Sequence, residues 1–341
     1  MKDHLFMQST QWIGDRDGGG ERGTSLVELM FGLAISMIVV AAGYTVMASG
    51  QQTAAMNDQT VEMQQNARIA MDLVSQDLRT AGFGMSGQVG ACNYAIVPND
   101  NTPAGADTGP DSFSVVVPTN LSTLALTATG TIGTVTLQNG AVAAMTPSGF
   151  GNGSIISIGG VYTTTVASYS GDVVTLGTAI PAPKVYVAGT QVYWLQCVTY
   201  DIATTTAACS GPAPCLRRGG VPVVEGIEDL QVAYACDGCN GSVPDGVADD
   251  QNASNTFDTS DFISNSTWVS SPGTPDTIRL ARVSIVARQA RSDPNWKGTS
   301  PQAVEDHNPT SDAGYNAANY SQIRRRIFTR TIQLRNQGLG T

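Results

Sequence analysis

The alternation of apolar and polar residues changes rhythm twice along this chain, and each change marks a new kind of element. From residue 29 to 48 the chain is apolar almost throughout and carries no charge. A run of ~20 such residues is long enough to cross the hydrocarbon of a bilayer as a helix. From residue 51 to 81 the pattern turns amphipathic, with neither proline nor glycine. Met56, Met63, Ala67, Ala70, Val74, Leu78 and Ala81 recur at helical spacing, while Gln52, Asp58, Gln65, Asp72 and Gln76 fall largely off that stripe. The two stretches together predict one helix of ~55 residues, roughly 80 Å long, whose second half holds a globular head. Gly82-Phe83-Gly84 ends it.

Beyond residue 85 the rhythm becomes that of short strands. Segments 112–117 (which ends at Pro118), 131–137, 154–158, 161–169 and 172–176 are separated by Gly, Asn and Ser clusters and read as a meander of partly exposed strands. Residues 99–110 are polar and rich in Pro and Gly, which reads as a surface loop. Segments 191–200, 215–218 and 224–234 follow as three further strands. In 278–288, Ala281, Val283, Ile285 and Ala287 alternate with Arg282, Ser284 and Arg288, as in a half-buried antiparallel strand. No period of ~20–50 residues is present, so a solenoid is not expected. The expected fold class is α+β: a long N-terminal transmembrane and amphipathic helix packed on an antiparallel β-rich head, with an extended β insertion at about 119–180. The 341 residues are ample for a sizeable core.

Charge adds two constraints. The formal net charge is −10 and only 13% of residues are charged. A phosphate-binding domain is normally basic, so no nucleic-acid partner is expected. The other constraint is Glu28, a carboxylate at the lip of the apolar run. Such a group costs about 2.5–3.5 kcal/mol in hydrocarbon by insertion measurements, so it is usually functional and partnered. A cut after Gly23 would create a partner, an amino group on Thr24. Lys2, Arg16 and Arg22 precede the span and no Lys or Arg follows until Arg68. That asymmetry places the N-terminus in the cytoplasm and everything after residue 50 across the membrane. A secretory signal peptide cut near Ala48-Ser49-Gly50 would have a shorter apolar region of ~7–15 residues behind a basic flank. A plain signal anchor explains neither Glu28 nor the glycine.

Arg22-Gly23-Thr24-Ser25-Leu26-Val27-Glu28-Leu29 and the apolar run behind it resemble the processing site of type IV prepilins and type II secretion pseudopilins. The resemblance implies that a prepilin peptidase cleaves after Gly23 and that the new N-terminus, Thr24, is methylated. Glu28 matches the glutamate at the fifth mature position of that family. The family's first mature residue is commonly phenylalanine; Thr24 departs from this, which bears on methylation more than on cleavage. Residues 224–234 with Asp237, and the closing segment 324–336, resemble PilW-type minor pilins. The organisation implied is a leader at 1–23, the transmembrane part of the helix at 24–50, its periplasmic part at 51–84 and a head at 85–341. The function implied is a minor pilin that primes or caps a type IV pilus. Its expected partners are the prepilin peptidase, the bacterial inner membrane, and other major and minor pilins through the helix. Two alternatives stay open: a type II secretion pseudopilin, whose heads are generally smaller, and a pilus-tip adhesin using the 119–180 elaboration.

The exported part holds Cys92, Cys197, Cys209, Cys215, Cys236 and Cys239, and an even count in an oxidising compartment favours disulfides. Local spacing favours Cys209 with Cys215 and Cys236 with Cys239, leaving Cys92 and Cys197 to pair. Zinc at Cys209, Cys215, Cys236 and Cys239, or redox chemistry at Cys236 and Cys239, are the alternatives. Asn240 stands where c-type haem attachment needs histidine. Asp237, Asn240, Asp245, Asp249 and Asp250 offer hard oxygen ligands for calcium on a glycine-rich loop, although their order is not that of an EF-hand. No other cofactor is expected. Of the histidines, His4 lies in the leader and His307 reads as a loop residue. No Gly-x-Ser-x-Gly, Walker or HExxH pattern occurs, so no catalysis is expected. Arg324, Arg325 and Arg326 read as a solvated strand end or a subunit-contact face.

Overall fold

The computed structural model describes residues 25–336 except 103, 104, 106, 240, 270–272, 294, 295 and 299. The helix α1 (Leu26–Thr80) is continuous, and the chain divides between Ala55 and Met56 into two compact units.

In the first unit every described residue is exposed. Phe31, Ile38, Val40 and Met47 each show well over half of their surface. A helix that is apolar on all sides needs hydrocarbon or other apolar helices around it, and this one is long and apolar enough to cross a membrane. Its few hydroxyls suit that setting. Ser36, Thr45 and Ser49 donate to the carbonyls of Leu33, Ala42 and Val46 at 2.8–2.9 Å, which pairs their O–H groups without solvent.

The second unit is the head. Its first strands are β1 (Ile96–Asn99), β2 (Ser112–Thr123), β3 (Ala128–Thr129), β4 (Thr134–Thr136) and β5 (Ile155–Ile158). They are followed by β6 (Tyr162–Ser170), β7 (Val173–Leu176), β8 (Val185–Tyr186) and β9 (Gln191–Ala203). The last are β10 (Cys215–Arg218), β11 (Val221–Glu225), β12 (Ile227–Cys236), β13 (Ile278–Arg288) and β14 (Arg325–Gln333). One sheet runs β1-β2-β9-β5-β6-β7-β4, with β10 joining β9 to β11; β12-β13-β14 form a second sheet and β3-β8 a small third. The ladders are antiparallel, which with the long helix gives the α+β class expected.

Two cores result. In the first, α1 buries Met63, Ala67, Ala70, Met71, Val74 and Leu78 against residues of both larger sheets, among them Phe113, Tyr200, Leu230, Val232, Val283 and Ile285. The helical stripe is therefore buried from Met63 to Ala81, with Met56 half-buried at its start. Each large side chain taken fully out of water contributes about 1.5–3 kcal/mol. The second core gathers Leu124, Leu137, Phe150, Ile156, Ile158, Val174, Ile180 and Trp194, with no residue from the helix. It hangs on a simple register: Thr123 at the end of β2 faces Gln191 at the start of β9. Residues 124–190 thus fill the place of a hairpin turn.

Three strand readings change. Segment 224–234 is not one strand, because Gly226 breaks it at φ +71, a left-handed conformation that favours glycine. The break sends β11 to one sheet and β12 to the other. β2 does not stop at Pro118 but runs to Thr123. Pro118 is tolerated because β1 covers only Ser112 to Val115, so its missing N–H falls on an open edge. Segment 131–137 shrinks to Thr134–Thr136 because Thr131 takes a turn conformation at φ +75. The helix stop does lie at Gly82, where φ is +73 and a Cβ would approach the Ala95 Cβ to 2.4 Å.

Candidate functional site

Gly23 and Thr24 lie outside the described residues; Ser25 and Glu28 are within them. Ser25 supplies the first helical acceptor, with the Leu29 amide 3.1 Å from its carbonyl oxygen. Glu28 is exposed in the first turn, where the unpaired amides of a helix favour a carboxylate. No further charge follows before Asp58. Among the described residues, this end therefore presents one anionic group beside an exposed apolar helix surface. The chemistry available to it is ion pairing with a cationic group and packing against like helices.

The six cysteines are brought together in three pairs. Cys92 bonds Cys197, Cys209 bonds Cys215, and Cys236 bonds Cys239. The first ties the segment before β1 to β9 across 105 residues.

In the loop after β12, the carboxylates act as acceptors that shape the turn. Asp237 is buried, accepts the amides of Asp245 and Gly246 at 2.8 Å each, and pairs with Arg279 at 3.0 Å. Burial acts to raise its pKa, but those amides and the guanidinium outweigh it and hold it below the ordinary carboxylate range. Asp249 accepts the Gly238 amide at 2.7 Å and the Ser242 hydroxyl at 3.0 Å. Asp245 accepts the Val247 amide at 2.9 Å. Asn240 lies outside the described residues.

Sequence reading missed three buried polar groups. Asp77, on the buried face of α1, accepts the Tyr200 hydroxyl at 2.6 Å and Arg218 Nε at 2.7 Å. This pins the helix to β9 and β10. Burial and the Asp77 carboxylate push the Tyr200 phenol well above its usual range. The second group is His307, which is buried rather than a free loop residue. Its Nδ1 meets Asp229 and its Nε2 meets Asp312, both at 2.7 Å. Burial alone would lower the imidazole, but the two carboxylates outweigh it and raise the pKa to about 9.

The third group lies in segment 99–110, which is not simply a surface loop. Asp107 is buried there and Asp111 just beyond it. Asp100, Asp107 and Asp306 present carboxylate oxygens within 4.8 Å of one another. Burial, then the charges of Asp306 and Asp100, push Asp107 up to about 7. Burial likewise pushes Asp111 up to about 8 against the pull of the Val232 and Asn101 amides. A polar, glycine-rich composition gives no signal of such burial, because the partner Asp306 comes from some 200 positions further on.

A groove of about 930 Å³ opens beside His307 and Asp312, edged by Trp296, Tyr320, Arg324 and Arg325. Arg324 and Arg325 are engaged. Arg325 stacks on Tyr320 and pairs with Glu228, and Arg324 covers Trp296 and pairs with Asp293 at 3.1 Å. Of the three arginines in this run, Arg326 is the exposed one.

Fold and site together fit a membrane-anchored subunit: the long helix α1 is apolar and exposed in its first stretch and is buried in the head's first core in the next. Residues 198–336 match the model of the family Type IV Pilus-assembly protein W (PilW), the family that the C-terminal strands resemble. That match supports a role connected with type IV pilus assembly, among pilus components. No curated protein and no solved structure matches it.

Proposed function

We propose that the chain is a minor pilin that primes or caps a type IV pilus and has no catalysis of its own. The observation that carries this reading is the PilW match over residues 198–336 in a chain whose helix is exposed from Leu26 to Ala55 and apolar through Ala48. In this reading prepilin peptidase cleaves after Gly23 and Thr24 is methylated. Glu28 then neutralises the amino terminus of a neighbouring pilin, as the apolar helix surfaces pack during extraction from the inner membrane. The N-terminus faces the cytoplasm, and the head passes from the periplasm into the extracellular filament. The low net density of basic residues after the span supports that orientation, since no Lys or Arg occurs between Arg22 and Arg68. Glu28→Ala tests the mechanism. Cleavage should stay intact while pilus number falls; normal pilus numbers would contradict the pairing.

A second reading, a tip adhesin, draws support from the separate core of residues 124–190. Replacing 124–190 by a two-residue turn distinguishes the two, because β2 and β9 already face each other at that point. Lost piliation supports assembly, whereas retained pili with lost attachment supports adhesion.

A further inference from the structure

We propose that the head binds one divalent cation of the calcium type at Asp100, Asp107 and Asp306. Asp100 and Asp107 come from the segment joining β1 to β2, and Asp306 from a distant one. The two are held together by a parallel bridge between Asp107 and His307 and by the Asp107 amide, 3.3 Å from the Asp306 carbonyl. One side-chain oxygen of each aspartate lies within 4.8 Å of the others. Oxygens on opposite sides of a calcium ion, each at its usual bond length, are also about 4.8 Å apart. The three ligand atoms therefore fit around a single ion.

A separate observation indicates that something is to be bound. Asp107 is fully buried; its Oδ1 accepts the Thr102 amide at 2.8 Å, but its Oδ2 has no hydrogen-bond partner among the described residues. Both side-chain oxygens of Asp306 are likewise buried and meet no donor at hydrogen-bond distance among the described residues, although Ser264 stands near enough to favour the charged carboxylate. A buried acceptor left unsatisfied costs about 1–3 kcal/mol, and more when charged. Here three such oxygens lie on neighbouring side chains. Asp100 is already oriented, since its oxygens accept the Thr102 amide at 2.8 Å and the Ser266 amide at 3.0 Å, leaving lone pairs for a ligand. Arg282 is paired with Glu305, the chain neighbour of Asp306, and with the Thr259 carbonyl.

The donors choose the ion. All three are hard carboxylate oxygens, and the neighbouring imidazole, His307, has both nitrogens engaged by Asp229 and Asp312. Zinc and copper would call for nitrogen or sulfur ligands. Magnesium keeps several of its waters and binds through one or two carboxylates, whereas calcium accepts a cage of protein oxygens. The loop after β12 is the weaker site, because Asp237 and Asp249 already satisfy amides, a hydroxyl and Arg279. A bound ion would tie the β1–β2 connection to the segment around Asp306.

The test uses the full chain in detergent, stripped with EDTA and titrated with calcium by calorimetry and thermal unfolding. One calcium per chain is expected, with Tm rising by ~5–10 °C at a hundredfold excess over Kd, and a smaller rise with magnesium. Asp107→Asn should weaken binding at least ~10-fold, while Asp249→Asn leaves it unchanged. Failure of the wild-type chain to bind calcium would overturn the site, as would binding that survives Asp107→Asn and is lost in Asp249→Asn. If Asp107→Asn does not fold, terbium replaces the variant as the probe. Trp268 lies two residues beyond Ser266, whose amide holds Asp100, so it should sensitise terbium emission that calcium displaces. That emission should persist in Asp249→Asn; its absence from the wild type, or its loss in Asp249→Asn, overturns the proposal.

Discussion

The two cores of the head are built in opposite ways. The core on the long helix joins residues from Met63 to Leu334 and takes side chains from both larger sheets. The other draws on residues 121–194 alone, most of them on neighbouring strands. The PilW match begins at residue 198 and so covers β10 to β14 and the second part of β9, which belong to the first core. Nothing in it reaches the second. The C-terminal strands thus carry the pilus-assembly pattern and share the first core with the helix, whereas residues 124–190 are set into a hairpin. Folding of the first core must wait for contacts distant in sequence, while that of the second can be largely local.

The comparison can be broken most sharply at Leu78, a fully buried helix residue. Leu78→Asp places an unpaired charge in the first core, and the expected loss exceeds about 4 kcal/mol, enough to prevent the head from folding. Circular dichroism and denaturant unfolding would read it. Ile156→Ala, in the second core, should cost about 2–5 kcal/mol. The difference lies in where the damage falls: amide exchange should quicken within 124–190 and stay slow in α1 and β12 to β14. Faster exchange throughout would mean that the two cores form one cooperative unit.

A smaller effect comes from pH. His307 is raised from 6.5 to about 9 by Asp229 and Asp312, so its contribution is fully present below pH 6.5 and lost as pH rises through about 9. Stability measured in EDTA should therefore fall over that window, and Asp229→Asn should flatten the slope. The loss belongs to the first core, since Asp229 lies on β12. The smallest effect is expected at the helix surface. Arg330 pairs with Asp72 at 2.8 Å, but both are well exposed. Arg330→Ala should change stability by no more than about 0.5–1 kcal/mol, as read by denaturant unfolding.

These differences also explain what could be read in the sequence. The helix was legible because its period is strong: Met63, Ala67, Ala70, Val74, Leu78 and Ala81 are all buried in one stripe. The alternation in 278–288 was legible in part: Ala281, Val283, Ile285 and Ala287 are buried, but Ser284 and Val286 are buried too, so the strand is covered on both faces there. Gly226 was missed because apolar residues continue on both sides of it, and only its backbone conformation shows the change of sheet. Asp77 was missed since a carboxylate on a buried helix face is explained only by Tyr200 and Arg218, more than 120 positions away. The burial of Asp107 and His307 was hidden in the same way, inside segments whose composition is that of exposed loops. Local rhythm exposes elements; it does not expose polar groups satisfied across long separations.

The central claim is that this is a processed pilin subunit, and mass analysis of the mature N-terminus in its native host tests it most directly. The account predicts a chain that begins at methylated Thr24. A chain that begins near Ser49, as a secretory signal peptide would leave it, would contradict the account.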